Sequence, residues 1–285
     1  MCSEAPAEHF LSKKLMNDIT FNDLPNDIIR EIMNNYLPRR DVHSCLLSCK
    51  KFDVLTDFQY YIKIHRSLTY YCIGNNLIYM CQKICNLAIK LNEEIDLQSN
   101  FVDSCTYGHL DLAKYFYQLG VQLNTPVNIH GWSNSDETIF IHCCRRGYLD
   151  IAKWIYQLGK DTNSPIYIYK GYGCAFRNAC FYNHLDVVKW FCNDPEMHRG
   201  IDFEHNGEAV FTDACVNGNL ELAKLLYDFG SIDIRKLDIH YNDDEAFRLA
   251  CSKNQIEVVK WLCSICKRYS YEIQNDKIIH LLFIY

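Results

Sequence analysis

The sequence predicts an all-α fold built as a solenoid of repeated helical hairpins. Three observations carry that expectation. Phe101, Phe140, Phe176, Phe211 and Phe247 recur at intervals of 39, 36, 35 and 36 residues. Cys105, Cys144, Cys180, Cys215 and Cys251 follow them four positions later, and residues at i and i+4 share one face of a helix. The 285 residues include only 12 glycines and 6 prolines, about half the usual share of roughly 12%. That scarcity argues against turn-dense β folds, collagen-like chains and long linkers.

Each copy reads as a first helix, a tight turn and a second helix. The turn falls on Gly108, Gly147, Asn183, Gly218 and Asn254, residue types that tolerate positive φ. The second helix opens on Leu110, Leu149, Leu185, Leu220 or Ile256, followed by an acid and, three residues on, a lysine, from Asp111 with Lys114 to Glu257 with Lys260. Such i,i+3 pairs contribute about 0.2–0.5 kcal/mol each and mark a solvated face. Glu137, Glu208 and Asp244 stand near the starts of first helices, where carboxylates cap free N–H groups. One such hairpin cannot bury its apolar face alone, so the copies must stack.

In chain order, residues 1–20 are an N-terminal tail without the 7–15-residue apolar run of a secretory signal. Residues 21–66 form a small helical module. Its first helix, LPNDIIREIMNNYL, aligns Ile28, Ile29, Ile32, Met33, Tyr36 and Leu37 on one stripe, opened by Pro25 and Asn26 and stopped by Pro38. A second helix carries Val42, Cys45, Leu46, Cys49 and Phe52. So short a segment needs a partner or a neighbouring domain to cover it. Residues 67–100 hold a worn repeat, with Leu68, Cys72, Asn75 and Leu77 at the Phe, Cys, turn and Leu positions, 33 residues before Phe101. Residues 101–270 are the five clear copies. Residues 271–285 begin another first helix, with Ile279 and Phe283 in phase, as a terminal half-repeat.

The copies, seen best in AC-FY-NHLDVVKW from Ala179 and SC-TY-GHLDLAKY from Ser104, resemble ankyrin repeats, in a divergent form found in giant DNA viruses of amoebae. The usual Thr-Pro-Leu-His opening is absent from every copy. The N-terminal module resembles an F-box. Leu24 and Pro25 match its opening, Ile28 and Ile32 its first-helix apolar pair, and Leu37 with Pro38 its Leu-Pro turn. Asp41 matches the acid of the next helix, and Cys49, Lys50 and Phe52 the close, with Phe52 in place of the usual Trp. This second resemblance implies docking on the linker protein of SCF ubiquitin ligases, and through it on the cullin complex, by Leu24, Pro25, Ile28, Ile32 and Leu37.

Without an export signal, the 16 cysteines are expected to be reduced thiols in a cytoplasmic or nuclear setting, that of a host cell if the chain is viral. The terminal IIHLLFIY falls far short of the roughly 20 apolar residues of a membrane span, and a formal charge of −6 gives no reason to expect a nucleic-acid partner. Cys263-x-x-Cys266 has the spacing of half a zinc site but no second pair in phase; Cys81 with Cys85, Cys45 with Cys49, and His142 with Cys143 are no better. The repeat-phase cysteines read as small apolar residues standing where alanine is usual. No P-loop, GxGxxG, H-E-x-x-H or G-x-S-x-G occurs. No catalytic residue, metal or cofactor is therefore expected, and the protein is not read as an enzyme.

Positions identical across copies report packing, whereas exposed positions that differ can encode a partner. Tyr107, Arg145, Arg146, Tyr182, Asn217 and Lys253 occupy the two positions before the turn and differ from copy to copy. Trp132, in the long insert between the first two full copies, and Tyr167, Tyr169 and Tyr172 of IYIYKGY add aromatic surface suited to hot spots. The expected function is a protein–protein interaction module, monomeric on its own. As the two resemblances together imply, it is the substrate-recruiting adaptor of an SCF-type ligase, with the repeats holding an unidentified target. The alternative is an ankyrin scaffold or host-factor-binding protein whose N-terminal helices merely cap the stack.

Overall fold

A computed structural model describes residues 66–90, 92–131, 138–168, 170–198, 201, 203–232 and 237–269. The F-box-like module, with Leu24, Pro25, Ile28, Ile32 and Leu37, lies outside these residues, as do Trp132, Glu137 and the terminal half-repeat. The fold is all-α, and the chain divides into two compact units, Met1–Pro126 and Val127–Tyr285. The first contains α1 (Arg66–Gly74), α2 (Ile78–Lys90), α3 (Leu97–Thr106) and α4 (Leu110–Gln122). The second contains α5 (Ile139–Arg146), α6 (Leu149–Asp161), α7 (Lys170–Phe181), α8 (Leu185–Asn193), the short α9 (Pro195–His198), α10 (Phe203–Val216), α11 (Leu220–Ile232), α12 (Tyr241–Ser252) and α13 (Ile256–Ile265).

Within the second unit, first helices stack on first helices, α5 on α7 on α10 on α12, and second helices on second helices, α8 on α11 on α13. The five repeated phenylalanines and five repeated cysteines are all buried, none more than 8% exposed. In the second unit, two of the phenylalanines look forward to a tryptophan of the next copy. Phe140 lies 6.2 Å from Trp190, and Phe211 lies 6.2 Å from Trp261. The same tryptophans take an edge-to-face tyrosine from the preceding second helix, Tyr156 at 6.1 Å and Tyr227 at 5.7 Å. Edge-to-face pairs of this kind contribute about 0.5–1.5 kcal/mol beyond the area they bury.

All five turn residues have positive φ: Gly108 (84°), Gly147 (75°), Asn183 (57°), Gly218 (73°) and Asn254 (56°). Burial lifts the thiols of the cysteine one helical turn earlier, Cys215 to about 12 and Cys251 to about 11, and holds Cys144 and Cys180 well above the ordinary range. They are packing groups, kept as neutral thiols by an environment that disfavours the thiolate. A second left-handed asparagine, Asn92, Asn124 or Asn163, closes α2, α4 and α6, each 14 residues after the helix begins.

Three local expectations are corrected. In the worn copy the positive φ falls on Asn76 (54°) and the second helix opens at Ile78, one residue later than the placement of the turn at Asn75 and of the helix start at Leu77. Asn76 N donates to Ile73 O and Leu77 N to Cys72 O, as Gly108 N does to Cys105 O and His109 N to Ser104 O. Ile73 thus stands where Cys105 does, and buried Thr69 where Phe101 does. Glu208 lies in mid-helix because α10 begins at Phe203. The caps seen at first helices are instead Asp96, whose Oδ1 accepts from Ser99 N at 3.0 Å, and Thr138, whose Oγ1 accepts from Ile141 N at 3.3 Å. Finally, the acid–lysine pair closes in the two glutamate copies, Glu221–Lys224 at 3.4 Å and Glu257–Lys260 at 2.9 Å. The three aspartate copies form no such pair among the described residues. Aspartate is one methylene shorter, and Lys153 lies instead over the Trp190 ring, 5.9 Å from its centre.

In two copies the residue after the turn also ties neighbouring copies together. His184 Nε2 donates to Arg145 O of the preceding copy at 2.8 Å, and Gln255 Nε2 donates to Val216 O at 2.9 Å. These side chains pass over the glycines they bridge. A Cβ on Gly147 would lie 2.5 Å from His184 Nδ1, and one on Gly218 would lie 2.3 Å from Gln255 Oε1. The following copy carries the shorter Asn219 at this position where the turn residue is Asn183. Gly147→Asn is therefore expected to destabilise the protein by about 1–3 kcal/mol, from the clash and the loss of a buried partner. Adding His184→Asn, which recreates the Asn183/Asn219 pairing, is expected to recover at least half of that in a double-mutant cycle by urea unfolding. For the cysteines, Cys215→Ala is expected to cost about 1 kcal/mol. Cys215→Ser should cost about 1–3 kcal/mol more, because it takes a hydroxyl out of water into an apolar setting; equal midpoints for the two variants would contradict the packing role.

Candidate protein-binding face

The first helix of every copy ends on an exposed side chain just before the left-handed turn. Tyr107, Arg146, Tyr182, Asn217 and Lys253 are all exposed, and Arg145 is half-buried. The turn itself produces this exposure: it folds the second helix back, so the last side chain of the first helix projects beyond the packed face. Within the second unit, where first helices stack on one another, Arg146, Tyr182, Asn217 and Lys253 form a row. The copies place tyrosine, arginine, asparagine or lysine at that point, over a frame whose buried residues hardly change.

In the first unit, Tyr107 donates a hydrogen bond to the hydroxyl of Tyr70, with the rings edge-to-face at 5.6 Å. That bond, with partial burial and the charge of Asp103, pushes the Tyr107 phenol up to about 12. Tyr107 also stacks on His109 at 6.3 Å. In the second unit the same pairing recurs, Tyr182 on His184 at 6.4 Å. A row tyrosine thus leans on the histidine that follows the turn, and in the second unit that histidine is the one bonded to Arg145 O. Arg145 Nη2 in turn donates to His142 Nδ1 at 3.1 Å, which steadies its guanidinium.

Phe181 is the residue that sequence reasoning missed. It is 59% exposed and meets Tyr182, 51% exposed, edge-to-face at 5.1 Å. The signal was a large apolar side chain at a position where the other copies carry Thr106, Arg145, Val216 and Ser252. Arg177, also exposed, precedes Phe181 by one helical turn. Farther along, Asp213 lies one turn before Asn217. Burial first, and then the charge of Glu245, raises the Asp213 carboxyl above its ordinary range. The second unit therefore offers arginines and aromatics in the copies starting at Phe140 and Phe176, and carboxylates in the two after them. Tyr167 is exposed between buried Ile166 and Ile168, so that segment packs by its isoleucines and presents its tyrosine.

A polar cluster closes the last described copy, away from the row. Buried Asp244 accepts from Tyr269 OH at 2.8 Å, lies 2.5 Å from His240 Nδ1, and pairs through Oδ2 with Arg268 at 3.2 Å. Tyr269, fully buried, stacks on Phe247 with centroids 4.2 Å apart and planes 5° from parallel. Asn242, Asp243 and Asp244 all have φ between 52° and 60°. Arg248 clamps this left-handed run, its Nε donating to Asp243 O at 2.7 Å and its Nη2 to Asn242 O at 3.1 Å. Among the described residues, no group of three or more His, Cys, Asp or Glu could hold a metal ion, and no helix is long and apolar enough to cross a membrane.

Burial raises the Asp244 carboxyl, but the hydrogen bonds from His240 and Tyr269 and the charges of Arg268 and His240 outweigh it and leave it below the ordinary range. The folded protein thus holds this proton less tightly than the unfolded chain, where an aspartate titrates near about 3.9. The stabilisation is whole above that value and is lost as pH falls through the lower, folded one. Asp244→Asn is expected to lower the melting temperature at pH 7, with the gap to wild type closing as pH drops towards 3. A gap independent of pH would contradict the assignment.

The sequence profile for "Ankyrin repeats (3 copies)" matches residues 176–275, and that for "Ankyrin repeats (many copies)" matches residues 103–155. Together they cover a little over half of the chain. No curated protein matches it.

Proposed function

Since the chain belongs to the ankyrin-repeat family and is a protein–protein interaction module, we propose that it recruits a protein target to an SCF-type ubiquitin ligase. The observation that supports target binding is the exposed row at the ends of the first helices of the second unit. Its side chains differ from copy to copy while the phenylalanines, cysteines and turns beneath them repeat. Tyr182 with Phe181, flanked by Arg146, is the place where such a surface concentrates binding energy, because aromatic and arginine side chains dominate interface hot spots. Ligase docking rests on the F-box-like residues Leu24, Pro25, Ile28, Ile32 and Leu37.

In this reading the ligase supplies the chemistry and the adaptor supplies proximity. Holding a target lysine near the transfer site raises its effective concentration without any new contact at the reacting atoms. The protein works in the cytoplasm or nucleus, where its thiols stay reduced.

Affinity purification from a eukaryotic cell, read by mass spectrometry, tests both halves. The ligase linker and cullin are expected with wild type and lost with a Leu24→Ala, Pro25→Ala double variant. A target is expected with both of these and lost with Arg146→Glu combined with Tyr182→Ala, which should weaken binding by roughly 10- to 100-fold in a protein that stays folded. Background recovery of linker and cullin by wild type would leave a binding scaffold without ligase docking. Full target recovery by the row variant would place the interface elsewhere.

A further inference from the structure

The polar cluster at the end of the last described copy does more than fasten Tyr269. Cys266, just past α13 and partly exposed, brings its Sγ to 4.0 Å from His240 Nε2. The other nitrogen of that ring, Nδ1, lies 2.5 Å from Asp244 Oδ1, and this carboxylate is itself buried and held by Tyr269 and Arg268. A carboxylate on Nδ1 fixes the neutral imidazole in the Nδ1–H tautomer and leaves the Nε2 lone pair facing the sulfur. Nucleophile, base and orienting acid thus stand in the relation that activates a thiol. The S···N separation is long for a formed hydrogen bond and short enough to close with one side-chain adjustment.

The left-handed run at Asn242–Asp244 belongs to this arrangement. Left-handed backbone is disfavoured for non-glycine residues, and Asn and Asp are the types that tolerate it best. Here Arg248 holds the run from outside through two carbonyls, and the run turns the Asp244 carboxylate back onto His240, four residues earlier. Cys144, Cys180 and Cys215 differ, since burial is the largest influence on each and raises its thiol.

We propose that Cys266, His240 and Asp244 form a nucleophilic thiol site that reacts with hydroperoxides. His240 Nε2 takes the thiol proton, and the thiolate attacks the nearer peroxide oxygen. The S–O bond forms as the O–O bond breaks, and the departing hydroxide or alkoxide recovers the proton from His240 and leaves as water or alcohol. The sulfur is oxidised by two electrons to the sulfenic acid, and the peroxide is reduced by the same two.

The test treats the full chain with hydrogen peroxide and traps sulfenic acid with dimedone. Cys263 is the internal reference: it is also partly exposed and shares a tryptic peptide with Cys266, so fragment ions apportion the label. At least fivefold more label is expected on Cys266 than on Cys263 in the native protein, with the preference abolished in urea. His240→Gln is expected to lower Cys266 labelling at least fivefold. A native preference below fivefold, or one that survives in urea, overturns the proposal without any variant being needed. Unchanged labelling in a folded His240→Gln protein overturns it as well.

Discussion

The left-handed turn between the two helices of each copy is the constraint on which the rest of this structure depends. A residue at positive φ reverses the chain in the least space, so both helices of a hairpin can bury their apolar stripes on one neighbour. It also sets what stands on either side. The residue before it ends the first helix pointing outward, and in two copies the residue after it reaches back across the turn of the preceding copy. His184 and Gln255 use that reach to satisfy carbonyls left open at the ends of α5 and α10. The glycines at 147 and 218 are the counterpart, leaving room where a Cβ would meet the crossing side chain.

One device thereby serves packing and recognition at once. Phe140 and Phe211 hand their rings to Trp190 and Trp261 of the next copy, which fixes the stacking distance. The outward residues are released from packing and are free to differ. Tyr107 and Tyr182 are the intermediate case: exposed, yet each stacked on the histidine two positions later. Such a tyrosine presents its ring in one orientation and has less freedom to lose on binding.

Much of this was legible in the sequence because a repeat states its rules several times. Phe, Cys and turn position recur in five copies, and the structure buries or bends each as the periodicity implies. Where a feature occurs once, the pattern had less to say. Asn75 and Asn76 can both take a left-handed conformation, so spacing alone could not choose between them, and the choice moved the worn copy by one residue. Tyr269 stands at the end of the last copy and matches no repeated position, yet it is among the most buried side chains. The crossing role of His184 and Gln255 was hidden for another reason: they sit where a helix cap would, and the two side chains share length and a donor but not a residue type. Asp and Glu looked equivalent in the acid–lysine pairs, and one methylene separated those that close from those that do not.

The binding face was legible in outline, since exposure at the end of each first helix follows from the turn. Its chemistry was less so, because Phe181 stands one position away from the row and only the structure shows it outside the core. The central claim remains the bond that crosses the turn, and the nitrogen-15 spectrum of His184 in the native protein tests it most directly. Neutral His184 is expected to carry its proton on Nε2, with that proton coupled to the Arg145 carbonyl and slow to exchange with water. A proton on Nδ1, or one exchanging as fast as in a free imidazole, would contradict it.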